Sequence, residues 1–275
     1  MNKSIASYPV LARLILFLVF LLCLWLPIAG PVYLLFPNEP KIVSIVVLVT
    51  VYVEFLWLSN RWSRQVHGDR GLAAYGLVWR RKTGIECLNG LAIGLILPFV
   101  LFLVGSLFGW IAWQAPGMNV TRLILEGSLT ALGVGFAEEI LFRGWLLYEF
   151  GKDYRDPLPL WITSLIFALV HFIKPLAEVI RTFPQFPALV LLGMILAWAK
   201  RATGDRLGMS IGLHAGLIWS YYILDVGDLV SPTGRVPSWV TGIDNNPLAG
   251  LLGLGFLGVL ALWIRRKAET KSGAN

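Results

Sequence analysis

The chain has 275 residues, of which 57% are apolar and 14% charged, and a formal net charge of +7; its mean hydropathy is +0.72. Soluble domains average about 45–50% apolar and about 25% charged residues, so the composition excludes a disordered protein, a disulfide-stapled secreted module and an ordinary cytosolic enzyme. The two cysteines, Cys23 and Cys87, sit in separate apolar segments without CxxC spacing, which offers neither a disulfide framework nor a thiolate metal site.

Apolar runs of about 17–25 residues can cross a bilayer. Eight such candidates recur along the chain, at roughly 14–36, 42–59, 88–114, 123–150, 159–173, 186–199, 208–224 and 247–264. The first is too long for the apolar core of a secretory signal and no small-x-small cleavage site follows, so it reads as a span kinked at Pro27. Segment 60–86 is basic and interrupted by Trp62, Tyr75, Leu77 and Trp79. It reads either as an interfacial stretch turning Arg80, Arg81 and Lys82 toward anionic head groups or as a solvated loop. Gly90/Gly94 and Gly105/Gly109 form two GxxxG pairs on the third run, a signature of close helix packing. The expected architecture is all-α: a polytopic transmembrane helix bundle of about eight spans, forming one membrane domain over 1–275.

Charge supplies an independent check, because Lys and Arg gather in cytoplasmic loops. With the N-terminus inside, 17 of the 23 basic residues fall in inner segments, beginning with Lys3 and Arg13, and five fall outside. Arg143 alone lies within a span. The long outer segment 225–246 carries Asp225, Asp228 and Asp244. An integral, multi-pass protein with both termini cytoplasmic follows. The basic surplus then has a topological use, so the lipid bilayer is the implied partner and no nucleic acid is.

Charged side chains in hydrocarbon cost at least ~2.5–3.5 kcal/mol each and therefore point to function. The fourth run contains Ala137-Glu138-Glu139-Ile140-Leu141-Phe142-Arg143-Gly144. Glu139 and Arg143 are i,i+4 neighbours and can pair along a helix; Glu138 points about 100° away and is left free. Among three histidines, His67 lies in a basic inner loop and reads as solvated, whereas His171 and His214 lie in the fifth and seventh runs. At ~1.5 Å per residue, Glu138 and His171 are ~18 Å and His214 ~9 Å from the cytoplasmic ends of their runs, so all three can meet in one cavity in or near the inner half of the bilayer. Glu149 is on the Glu138 face of a regular α-helix, either at the inner mouth of that cavity or as a plain helix-end carboxylate. A glutamate and two imidazoles can activate water and steady an oxyanion, or hold zinc, or relay protons. A transporter is disfavoured because no inverted repeat or pair of broken helices is visible. Gly208-Met209-Ser210-Ile211-Gly212 matches G-x-S-x-G, but the motif needs a strand-to-helix elbow and this one opens an apolar helix.

The order Glu-Glu-x-x-x-Arg, then Phe167-x-x-x-His171, then His214 on a later run resembles the CPBP family of intramembrane proteases, named for CAAX proteases and bacteriocin-processing enzymes and also called the Abi family. The resemblance covers a motif-bearing core of about 120–265. It implies an intramembrane (metallo)endopeptidase of CAAX prenyl protease type, acting on a membrane-associated protein or peptide. Glu138 would activate water with His171 as partner, and His214 would stabilise the oxyanion or bind metal. Glu139, Arg143 and Phe167 would be structural support. The site would be buried between the fourth, fifth and seventh helices. The family is usually described as metal-dependent, with Glu138, His171 and His214 as the implied ligands of a divalent metal such as zinc; a metal-free glutamate mechanism stands beside it. One departure is Ile218, where the prenyl-protein endopeptidases commonly carry Asn four residues after the last His. Ser220 or a bound metal could supply the missing donor, and a non-catalytic membrane adaptor or bacteriocin-immunity protein of the same family is the alternative reading.

Overall fold

The structure is a computed structural model that describes residues 4–243 and 246–272; Lys3 and Asp244 lie outside the described residues. Each of the eight apolar runs lies largely on helix. The first three are α1 (Val10–Leu35), α2 (Pro40–Gln65) and α3 (Arg81–Leu107). α4 (Val120–Glu139) continues through a π-helical stretch, Ile140–Leu146, into α5 (Leu147–Asp153). Then come α6 (Leu158–Val170), the short α7 (Leu176–Thr182), α8 (Phe186–Ala202), α9 (Gly208–Asp225), one turn of α10 (Ser238–Thr241) and α11 (Leu251–Ser272). Five helical stretches are long and apolar enough to cross a membrane: α1, α2, α3, the continuous run Val120–Asp153 and the run Leu176–Ala202.

The third run was expected to reach residue 114, but α3 ends at Leu107. Gly109 takes φ +69 in the turn beyond it, and Ile111–Trp113 forms strand β1, antiparallel to β2 (Val230–Pro232). Gly109 therefore makes a turn, and only the Gly90/Gly94 pair packs helices. A Cβ on Gly90 would collide with the Met209 carbonyl and one on Gly94 with the Leu213 carbonyl, both on α9. In return, a Cβ on Gly212 or Gly216 would strike the carbonyls of Cys87 and Leu91 on α3. Small residues on both faces bring the two backbones into contact, as helix association in lipid favours. This accounts for Gly208 and Gly212 without any nucleophile elbow, and the Ser210 hydroxyl is spent on the Leu207 carbonyl at 3.0 Å.

α9 is the central helix, packed by α3, α4 and α8. α6 is 13 residues long, which at ~1.5 Å per residue is ~20 Å, short of the ~30 Å hydrocarbon core. The chain therefore turns back within membrane depth after Val170, an arrangement tolerated where irregular backbone lines a cavity. Ile173, Leu176 and Ile180 along that return are exposed and apolar, as lipid contact requires.

Both described ends of the chain lie at one end of the bundle. The Val10 amide donates to Asp153 at 2.7 Å, and Lys271 lines the same cleft as Lys152. A buried clamp closes that end. Glu149, fully buried, accepts from Arg13 Nε at 2.8 Å, from Trp62 Nε1 at 3.0 Å and bonds His67 Nε2 at 2.8 Å. His67 is thus a buried partner and not the solvated residue its basic loop suggested. Glu149 leaves the Glu138 face because the π-helical stretch adds residues per turn and breaks the regular 100° step. Segment 60–86 is correspondingly not a free loop: it holds the end of α2, a 3-10 turn at Gly71–Tyr75 and the start of α3. Trp62 and Tyr75 are buried in the bundle, and only Trp79 points outward.

Which membrane face holds that end is testable. Reporter fusions after Gly227 should read external and fusions after Lys271 internal; an internal reading at Gly227 would reverse the orientation expected from the basic residues.

Candidate active site

Two elements bring the acidic pair to α9. α4 runs antiparallel along it, with Gly135 in contact with Ala215, so the next turn delivers Glu138 and Glu139 beside His214. The helix then widens into its π-helical stretch, a local departure that recurs at functional sites.

Glu139 is the buried hub. Its Oε1 accepts from Arg143 Nη1 at 2.7 Å and bonds His214 Nδ1 at 2.9 Å, while Oε2 is buried without a hydrogen-bond partner. The Glu139–Arg143 pair was legible from the i,i+4 spacing; the bond to His214 was not. Arg143 is further fixed by Nη2 donating to the Gly193 carbonyl at 3.3 Å and by stacking over Phe167, 4.1 Å from the ring centroid. Lys200 Nζ donates to the Arg143 backbone carbonyl at 2.8 Å. Phe167 also touches both imidazoles, at ring-centroid distances of 4.8 Å to His171 and 5.9 Å to His214.

A carboxylate only accepts, so Glu139 holds a proton on His214 Nδ1 and leaves Nε2 free to work. Nε2 lies 3.9 Å from Glu138 Oε2, which itself has no hydrogen-bond partner. His171 sits at the C-terminal cap of α6 and not inside the span. Its Nδ1 meets the Phe167 carbonyl at 2.7 Å. That oxygen also only accepts, so His171 likewise retains Nε2 as the unengaged nitrogen.

Glu138, His171 and His214 line one cavity of about 250 Å³. Phe167, Gln185, Ile218, Tyr221 and Asn246 complete its functional wall, with Pro98, Leu192 and Leu257 among the apolar residues. Glu138 also forms the end of a second, apolar recess of about 290 Å³ between α1, α2 and α4. Depth counted from the basic loops suggested the inner half of the membrane. Gln185 and Asn246, however, come from the loops at the end of the bundle opposite the described chain ends, because α8 and α11 both run away from them. The cavity reaches toward that far end.

Gln185, Tyr221 and Asn246 were not expected at the site. Asn246 carries the only readable signal, a polar side chain just before an apolar helix, yet nothing local distinguishes it from a cap. Its Oδ1 does accept from the Leu248 amide at 2.9 Å. Ser220, considered as a substitute donor for the missing Asn, is on the wrong side of α9. Six residues past His214 it has turned by about 240°, and its hydroxyl donates to Gly94 and Leu217 carbonyls at 3.3 and 3.0 Å. Ile218 does face the cavity. Ile218→Asn is therefore expected to leave folding intact and raise turnover several-fold, up to the ~10²-fold scale of one oxyanion donor. Steady-state rates of the purified variant measure this, and an unchanged or lower rate would show that no donor is wanting there.

The donor set was also weighed as a metal site. Among the described residues, no three His, Cys, Asp or Glu side chains are grouped closely enough to hold a metal ion. Two of the expected ligands, Glu138 and His214, are within 4 Å of each other, but His171 does not complete a ligand set with them.

Fold and cavity together define a helical membrane protein with a glutamate–histidine site, in which His214 is buried and Glu138 and His171 are open to the cavity. Residues 120–220, a stretch that includes Glu138, His171 and His214, match the family described as Type II CAAX prenyl endopeptidase Rce1-like. The uncharacterized protein YyaK of Bacillus subtilis (strain 168) is 26% identical over 206 residues, 70% of this chain and 64% of that protein. The chain thus spans less than two thirds of that relative's length. No solved structure matches it.

Proposed function

We propose that the protein is an intramembrane endopeptidase that hydrolyses a peptide bond of a membrane-associated protein or peptide, a CAAX-type processing reaction. The observation that carries this reading is the convergence on one cavity of a carboxylate whose Oε2 makes no hydrogen bond and two imidazoles, each hydrogen-bonded through Nδ1, with His214 Nε2 3.9 Å from that carboxylate. In the proposed reaction Glu138 removes a proton from water held between it and His171. The water oxygen attacks the scissile carbonyl, and His214 Nε2, when it carries a proton, donates to the oxyanion. The proton on Glu138 then passes to the leaving amine, which completes hydrolysis without a covalent intermediate. Glu139 and Arg143 act as positioning residues through His214. The apolar recess ending at Glu138 suits the hydrocarbon-embedded part of a substrate.

Purified protein incubated with a proteome-derived peptide library, wild type beside Glu138→Ala, tests the proposal. Cleavage products that depend on Glu138 support it. Identical peptide profiles from the two proteins would remove it in favour of the non-catalytic adaptor or immunity reading, with which Ile218 is also compatible.

A further inference from the structure

At the end of the bundle that carries both described chain ends lies a cleft of about 720 Å³ that shares no lining residue with the glutamate–histidine cavity. Five cations line it, Lys152, Arg155, Lys200, Arg201 and Lys271, against two carboxylates, Asp156 and Asp205. Arg201 is paired with Asp156 at 2.6 Å and Lys152 with Asp69 at 3.1 Å. Arg155 and Lys271 form no ion pair among the described residues.

The decisive residue is Lys200. Its side chain is buried, only 6% exposed. Its ammonium donates to the Arg143 carbonyl and forms no salt bridge among the described residues. A buried ammonium has three protons to place and is costly without a counter-charge in contact; Asp205 and Glu139 act on it electrostatically but form no salt bridge with it among the described residues. The cleft it faces is open, basic and large enough for a phosphate-bearing head group. Beside it Tyr154 (41% exposed) stands with Leu158 (46%) and Trp161 (48%), an aromatic and apolar border of the kind found where a helix bundle meets the lipid interface. Basic pockets between transmembrane helices are a recurrent way of holding anionic lipid.

We infer that this cleft binds the head group of an anionic phospholipid from the adjoining leaflet, with the lipid phosphate as counter-ion to Lys200. The apolar border places the acyl chains along α6. A soluble anion would make no use of that border, which is why lipid is the occupant chosen. Because Lys200 also holds the Arg143 carbonyl, the bound head group adjoins the backbone that carries the Glu139–Arg143 pair.

The test uses the full chain purified in detergent micelles and titrated with a fluorescent short-chain phosphatidylglycerol. Phosphatidylcholine and millimolar inorganic phosphate serve as the neutral-lipid and soluble-anion arms. The variants are Arg155→Gln/Lys271→Gln inside the cleft and Arg80→Gln/Arg81→Gln, exposed cations outside it. Saturable phosphatidylglycerol binding is expected, weakened about 30-fold by the cleft pair and less than about threefold by the outer pair. Phosphate should not displace it. Equal losses in the two double variants would reduce the effect to surface charge. Equal binding of phosphatidylcholine, or displacement by inorganic phosphate, would likewise overturn the assignment to an anionic lipid. All four substituted positions are exposed, so folding is not at stake.

Discussion

Glu138→Gln is expected to abolish turnover, by ~10²-fold or more, while the protein accumulates in the membrane at its normal level. The substitution preserves size and hydrogen-bonding capacity and removes only the ability to take a proton. Nothing in the packing should resist it. The Glu138 side chain is about one-third open, at 29%, its Oε2 has no hydrogen-bond partner, and Arg143 is already matched by Glu139. A residue that is free of structural ties and faces a cavity with two unengaged imidazole nitrogens is placed to act on something the cavity admits. His214→Ala should lose activity on a comparable scale, ~10²–10³-fold, if its Nε2 meets the oxyanion. His171→Ala should do the same through the water it orients. The three losses should not multiply when combined, since groups acting on one transition state are strongly non-additive. If instead a cellular phenotype that the protein complements survives Glu138→Gln and His171→Ala at normal abundance, that would falsify the enzymatic reading and leave the adaptor.

What the sequence reveals and what it hides divide along physical lines. Hydrophobic runs and basic loops follow from the bilayer itself, so the helical membrane bundle and the common location of the described chain ends could be read directly. The Glu139–Arg143 pair and the Gly90/Gly94 contact are set by spacing along a helix and were equally accessible. Contacts made across the bundle were not. His67 and Glu149 meet over 82 residues of chain, and the basic, polar surroundings of His67 gave a misleading picture of a solvated side chain. The π-helical stretch after Glu139 was invisible, because no side-chain pattern announces it, and it misdirected the placement of Glu149. α6 ends at Val170, so His171, which the run 159–173 placed inside a helix, caps it instead, with its Nδ1 on the Phe167 carbonyl. Lys200 looked like one more topogenic cation beside Arg201; only the fold turns it inward onto Arg143.

Glu139→Gln is expected to harm the protein more than Glu138→Gln does, although the two residues are adjacent and chemically identical. Glu139 is fully buried and Arg143 only 3% exposed, so their charges neutralise one another in a medium that solvates neither. Glutamine at 139 could keep both existing hydrogen bonds, because one oxygen, Oε1, takes Arg143 and His214 together. What it cannot keep is the charge. Its amide nitrogen would also occupy the place of Oε2, which is buried and makes no hydrogen bond. Stranding one member of a buried ion pair costs roughly 3–5 kcal/mol, a large part of the ~5–15 kcal/mol that holds a typical domain together. The expected result is a marked fall in membrane abundance for Glu139→Gln and little change for Glu138→Gln, read side by side by immunoblot of the membrane fraction. A second comparison isolates the cause. Glu139→Gln combined with Arg143→Met removes the unmatched cation, so abundance should recover above that of Glu139→Gln alone. Equal abundance of the two single variants, or no recovery in the double variant, would mean that the pair does not carry the load assigned to it. The distinction between a working carboxylate and a positioning one at 138 and 139 would then have to be given up.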